Sequence, residues 1–260
     1  MLIHVVKPGD TVYSIALEYG IPMSQLILDN GLETSSRLAV GQALVVQFPT
    51  QTHTVQPRET LASIAAAYQL PLRQLYRNNP ILGGIPEIYP GQTLVLAYDS
   101  TPEATLSVNG YAYPFIDPAL LQSTVPYLTY LTPFTYGFTP DGTLVELDDE
   151  ALLAAARQGG AAPLMHLSTL TEEGGFSNEL AHLALTQPAV QDTLVDNLEA
   201  MLVQKGYRGL DVDFEYVYAE DAGAYAAFLG RLTERLNPLG YPVIAAFAPK
   251  NSRRSAWNTV

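Results

Sequence analysis

Gly206-Tyr-Arg-Gly-Leu-Asp-Val-Asp-Phe-Glu-Tyr216 alternates apolar and acidic side chains. In a β-strand, successive side chains point to opposite faces. Asp211, Asp213 and Glu215 therefore line one face, and Leu210, Val212 and Phe214 the other. Three carboxylates on one side of an apolar strand repel one another and are costly to desolvate, which pushes at least one pKa upward. The pattern admits three readings: a wet edge strand, a hard-cation site built from oxygen ligands, or a glycosidase acid with supporting carboxylates. Context bears on the choice. Helix-like patterns run over 190–205 and 221–236, before and after the stretch. A strand between two helices belongs to a parallel sheet buried on both faces. The C-terminal end of such a strand is where α/β barrels carry their chemistry.

Gly209-Leu-Asp-Val-Asp-Phe-Glu215 resembles the Asp-Gly-x-Asp-x-Asp-x-Glu signature of family-18 glycoside hydrolases, the chitinase-like enzymes. The glycine, both aspartates and the glutamate stand in register. Arg208 occupies the place of the first Asp, which weakens a charge relay below the catalytic pair. Spore-cortex-lytic members of that family look similar in tolerating the change.

The chain has 260 residues, enough for two or three domains. It is 48% hydrophobic and 15% charged, which describes a globular protein with a sizeable core. A net charge of −13 argues against nucleic acid or anionic membrane as partner. With no cysteine there is no disulfide, thiolate metal site or thiol nucleophile. The start, Met1-Leu-Ile-His-Val-Val-Lys7, lacks a signal peptide's basic segment and apolar run. No stretch reads as a membrane span.

Residues 4–30 and 53–79 repeat without a gap, opening on His4-Val-Val-Lys-Pro-Gly-Asp-Thr and His53-Thr-Val-Gln-Pro-Arg-Glu-Thr. Matching closes follow at Val40-Gly-Gln-Ala-Leu-Val-Val46 and Pro90-Gly-Gln-Thr-Leu-Val-Leu96. A repeat of this period marks a duplicated unit. Each copy reads β-α-α-β, with a helix start at Asp10-Thr and a second short helix after Pro22. The pattern resembles the LysM carbohydrate-binding module and covers nearly all of residues 2–97, giving modules at 1–49 and 50–98. The resemblance implies a sugar groove between the first strand–helix loop and the loop before the last strand. Carried over, that names Gly9, Asp10, Thr11, Asp29 and Asn30, then Arg58, Glu59, Thr60, Asn78 and Asn79. For several of these, helix capping and turn formation are equally open roles. Backbone amides in these loops are better ligand candidates than side chains, and His4 and His53 read as packed strand residues. Residues 48–52 and 98–105 read as linkers.

From Leu106 onward strands and helices alternate. Strands are expected over 106–111, 128–136, 162–168, the acidic stretch and 241–248. Helices are expected over 148–158, 177–185, 190–205 and 221–236. This is an α/β order, fitting a barrel or an open doubly wound sheet. The family-18 resemblance implies a barrel over 104–260. A (β/α)₈ barrel needs eight strands and typically about 250 residues, whereas five are visible. The family's later motifs, a Met-x-Tyr-Asp-like strand and a tryptophan flooring the sugar site, are not found, and Trp257 stands too near the end for that role. The expectation is an N-terminal portion of a longer enzyme, partnered by the remaining segment and self-associating without it.

The resemblance also implies a substrate-assisted, retaining mechanism. The substrate's 2-acetamido oxygen attacks, Glu215 is acid then base, Asp213 holds the acetamido N–H, and Asp211 acts on the group above by like-charge repulsion. No metal or other cofactor is implied. Tyr111 and Tyr136 are candidate sugar-stacking residues, with barrel core as the competing role, and His166 reads as core. LysM modules beside such a domain imply a polymer of N-acetylglucosamine, peptidoglycan or chitin, and an enzyme of the cell wall or spore made without a leader. The expected function is N-acetylglucosaminidase action on spore-cortex peptidoglycan. The alternatives are a chitinase and a binder without catalysis.

Overall fold

The computed structural model describes residues 1–33, 37–99, 105–171 and 175–247. Trp257 and the last residue of the fifth expected strand lie outside them. By packing, the chain divides into two compact units: residues 1–106 with 118–127, and residues 107–117 with 128–260.

The first unit holds the duplicated modules. In the first, β1 (Leu2–Val5) pairs antiparallel with β2 (Ala43–Val46), and α1 (Val12–Tyr19) and α2 (Met23–Asp29) lie between them in the chain. Leu44 and Val46, two residues apart, point into a core with Val6, Ile15, Ala16, Ile21 and Leu26. Thr11 starts α1 in a capping box with Ser14, and Gly20 ends it in the left-handed region. The second module repeats the plan: β3 (Pro49–Thr54), α3 (Leu61–Ala67), α4 (Leu72–Asn78) and β4 (Thr93–Tyr98). Thr60 and Ser63 form the second capping box. The linker expected at 48–52 is largely strand, a correction. β3 begins at Pro49 and pairs with β4 through a register irregularity between Pro49 and Thr52. Such a bulge lets a proline-led, polar segment keep its ladder.

In the second unit, β5 (Asn109–Ala112) pairs in parallel with β6 (Tyr130–Pro133). Between them in sequence, α5 (Pro118–Thr124) groups with the first unit. A hairpin follows β6: β7 (Gly137–Phe138) with β8 (Leu144–Val145). Then come α6 (Glu150–Gly159), β9 (Ala162–Pro163) and β10 (Met165–Ser168), the last two being one expected strand interrupted at Leu164. α7 (Asn178–Thr186), α8 (Pro188–Lys205), β11 (Leu210–Asp213), α9 (Ala222–Leu236) and β12 (Val243–Ala245) complete the order. Neither α5 nor the hairpin was expected from the sequence.

β6 pairs with β9, and β10 with β11, which pairs in turn with β12, all in parallel. Tyr136 joins the two groups by accepting from Ser168 N–H and donating to the His166 carbonyl. Spatial order thus follows chain order with no reversal, and a doubly wound sheet requires a reversal. Among the described residues the strands do not close into a barrel. Leu210, Val212 and Phe214 are buried with Leu198, Leu202, Phe228 and Leu232 from α8 and α9. Gly209 is glycine for a steric reason: a Cβ there would lie 2.7 Å from the Pro242 carbonyl oxygen.

Candidate active site

The acidic face of β11 descends into the protein. Asp211 is wholly buried, the Asp213 side chain is 14% exposed, and Glu215, just past the strand end, is part-exposed. The Tyr111 hydroxyl donates to Asp211 Oδ2 at 2.7 Å, while Asp211 Oδ1 has no partner among the described residues. His166, on neighbouring β10, places Nε2 3.5 Å from Asp213 Oδ2. Burial raises the Asp211 pKa, and Tyr111 partly offsets it. Glu215 is also raised, by burial first and then by Asp213, with His166 opposing. The like-charge effect on Glu215 thus comes from Asp213 and ranks second to desolvation. Tyr216 turns the chain off the strand at φ 58, a conformation uncommon for a bulky residue.

Asp213 and Glu215 open into a cleft of about 340 Å³ with Tyr111, Tyr113, Phe134 and Phe247 in its wall. Tyr113 stacks on Phe115 and meets Phe134 edge-on, both with ring centroids 5.0 Å apart. Of these aromatics only Tyr111 was singled out from the sequence. The signal was there in Tyr111-Ala-Tyr-Pro-Phe115, an aromatic every second residue at the end of a strand. A carboxyl with a raised pKa beside a second carboxyl group, opening into an aromatic cleft, can protonate a leaving oxygen while an apolar ring face is held against the wall. Among the described residues no group of His, Asp and Glu is arranged to hold a metal ion.

Tyr136 has no access to this cleft, which corrects its candidacy for sugar stacking. It is fully buried, and its hydroxyl donates to Asp149 Oδ2 at 2.6 Å. Tyr207 donates to the same oxygen, and Lys205 Nζ lies 2.8 Å from Oδ1. Burial and the Asp149 bond push the Tyr136 hydroxyl up to about 12. Arg208 is solvent-exposed, so its departure from the signature places no charge beneath Asp211. His166 is fully buried, as a core residue would be, yet its ring borders the carboxylates.

In the first unit, most candidate side chains of the LysM-like loops are engaged by the fold. Asp10 accepts from Lys7 N–H at 2.6 Å and meets His4 Nε2 at 3.1 Å, contacts that hold its pKa low. His4 Nδ1 lies 3.0 Å from the Tyr19 hydroxyl. Glu59, Gln56, His53 and Tyr68 repeat the arrangement. Thr11 and Thr60 cap helices. Asn30 donates to the Leu26 and Val45 carbonyls and accepts from Val45 N–H. Asn79 does the same with Leu75 and Val95. Asn78 is buried on the Leu96 carbonyl, and Asp29, raised by burial, accepts from Gln25. Gly9 and Arg58 occupy equivalent exposed positions, both with positive φ, 93 and 73.

The family model for the LysM domain matches residues 4–47 and 53–97. The cortical fragment-lytic enzyme of Bacillus anthracis is 36% identical over 254 residues, 95% of this chain and 58% of that enzyme. The crystal structure of the Bacillus cereus spore cortex-lytic enzyme SleL matches 99% of this chain and 60% of its own, at 31% identity and a TM-score of 0.71. A chitinase from Chromobacterium violaceum ATCC 12472 shares the fold over 58% of this chain and 50% of its own, at 21% identity and a TM-score of 0.50. The chain spans about three-fifths of the length of the curated relatives it matches. It therefore carries two LysM domains followed by a part that shares the fold of a chitinase, and over nearly its whole length it is homologous to the spore cortex-lytic enzymes.

Proposed function

We propose that the protein carrying this chain is a glycosidase that cleaves cortex peptidoglycan and is held to that polymer by its LysM domains. The observation that carries the reading is the graded set of carboxylates on β11, whose outermost member, Glu215, has a raised pKa and faces an aromatic cleft. Sequence similarity to cortical fragment-lytic enzymes supports the substrate. The parallel strands in chain order are read as an arc of a (β/α)₈ barrel over 104–260, preceded by LysM modules at 1–49 and 50–98.

In this reading Glu215 protonates the glycosidic oxygen as the bond breaks, then takes a proton from the incoming water. The nucleophile is the substrate's own acetamido oxygen, so the anomeric configuration is retained. Asp213 receives the acetamido N–H and stabilises the cationic ring that forms. Asp211, held by Tyr111, supports Asp213 from below. Tyr111, Tyr113 and Phe134 offer ring faces to the sugar. In the LysM loops, the exposed backbone around Gly9 and Arg58 meets the polymer, and the side chains of Asp10, Glu59, Asn30 and Asn79 shape those loops. The protein works at the spore cortex, and no described helix is long and apolar enough to cross a membrane.

The test is Glu215→Gln in the protein carrying this chain, assayed on cortical fragments. The amide keeps the shape and removes the proton donor, so hydrolysis should fall by at least about 100-fold while sedimentation with the polymer is unchanged. Hydrolysis close to the parent's would place the acid elsewhere, and binding without hydrolysis by the parent would leave a non-catalytic binder.

A further inference from the structure

His166 has a feature that a core histidine does not need. Its ring is wholly buried, and among the described residues Nε2 has no hydrogen-bond partner within ordinary range. Buried polar atoms are rarely left unpaired without reason. The nearest charged atom is Asp213 Oδ2, 3.5 Å away. The other ring nitrogen is tightly held, with Nδ1 2.6 Å from Thr135 Oγ1. Phe134 and Tyr111 confine the ring, with centroids 4.8 and 5.4 Å away.

We propose that His166 is the positioning residue for Asp213: Thr135 fixes the ring so that its Nε2–H points at the Asp213 carboxylate. This rests on the reading of Glu215 and Asp213 given above. The proton assignment follows from electrostatics. If Nδ1 carried the only ring proton, the Nε2 lone pair would face a carboxylate in a buried site, two acceptors with nothing between them. With Thr135 donating to Nδ1, the ring proton sits on Nε2 and faces the Asp213 oxygen. The 3.5 Å separation is longer than a formed hydrogen bond and closes by a small rotation of the Asp213 carboxylate. The two inner carboxylates then have parallel supports, Tyr111 on Asp211 and His166 on Asp213. Among the described residues, the titratable groups facing His166 are Asp211, Asp213 and Glu215 from β11 and its end, and Tyr111 from β5, while the segment after β6 brings Phe134 and Thr135.

A tethered Asp213 keeps one oxygen on the protein and presents the other to the acetamido N–H. That orientation matters when the ring cation forms, so losing it should slow turnover more than it weakens binding. His166→Leu should lower kcat roughly tenfold to a hundredfold, the loss of one hydrogen bond to a charged group, with KM nearly unchanged. His166→Gln, whose amide can present an N–H at the same place, should recover most of that loss. The ring's ¹⁵N resonances supply a readout that needs no activity. In the parent protein Nε2 should carry a proton, and Thr135→Val should shift the tautomer balance. Thermal melts of each variant separate misfolding from loss of positioning. An unprotonated Nε2 in the parent, or a folded His166→Leu with the parent's kcat, overturns the proposal. Glu215→Gln run alongside separates the two claims. If Glu215→Gln is inactive and His166→Leu is not, the role of His166 alone is wrong. If Glu215→Gln remains active, the glycosidase reading fails and the role of His166 falls with it.

Discussion

Asp211 is the residue at which stability and the proposed function pull apart. Its folded-state pKa is raised by burial, so folding favours its protonated form. The unfolded state releases that proton first as pH rises. Stability therefore falls between the ordinary Asp value and the raised folded value, and the cost persists above both. Asp211→Asn keeps an acceptor for Tyr111 and removes the charge. It should raise the melting temperature of the second unit by a few degrees at neutral pH and lose that advantage near about pH 3, below both values; an equal gain at both pH values would show that the charge is not the cause. Strand periodicity made the two faces of this stretch legible, because alternation is a local property. Tyr111 stands 100 residues from its partner Asp211, and His166 47 from Asp213, by numbering, and only the folding of the strands brings them in. Register is set by packing, which is why Tyr136 could be mistaken for a sugar contact when it belongs to a buried cluster around Asp149.

The two Asn latches show what short elements need in order to hold. A four-residue strand such as β2 has few bonds of its own, and Asn30 adds both backbone groups of Val45 to the set. Asn79 acts likewise on Val95 and is buried while doing so. Asn79→Ala strands two buried backbone groups and should destabilise the second module by about 2–4 kcal/mol. Hydrogen exchange at Val95 and Leu96 should accelerate while Val45 and Val46 keep their protection; uniform loss across both modules would mean that the modules unfold together. The capping boxes, the repeat and the helix ends were legible because each is a short-range rule. The latches were not, since an Asn before Gly or Pro reads as a turn residue and its strand partner lies 15 or 16 positions further on. The bulged start of β3 was misread for a related reason: its composition is that of a loop, and only pairing with β4 makes it a strand.

At the level of the whole molecule, the LysM domains and the carboxylate-bearing strand fall in different compact units. Residues 1–99 should sediment with insoluble peptidoglycan by themselves, and a pair of modules left in the supernatant would remove the main support for a cell-wall role. In the second unit, β5 and β12 each pair on one side only among the described residues, and Ile244 and Phe247 are 39% and 49% exposed. Unpaired parallel edges recruit other chains. Residues 1–260 in isolation should therefore show self-association by light scattering, whereas a monodisperse monomer that cleaves peptidoglycan would contradict the open-arc reading.

The unreversed strand order has a consequence for biosynthesis. The parallel pairs in the second unit run in ascending chain order, with only the β7–β8 hairpin intervening between β6 and β9, so no parallel strand has to wait for a later one to be inserted between earlier neighbours. A chain leaving the ribosome can complete each LysM module and then extend the arc one strand at a time, with the newest strand always docking on the edge just formed. Translation then proceeds in the same direction as assembly, and the carboxylate strand arrives on a platform that already holds Tyr111 and His166 in place.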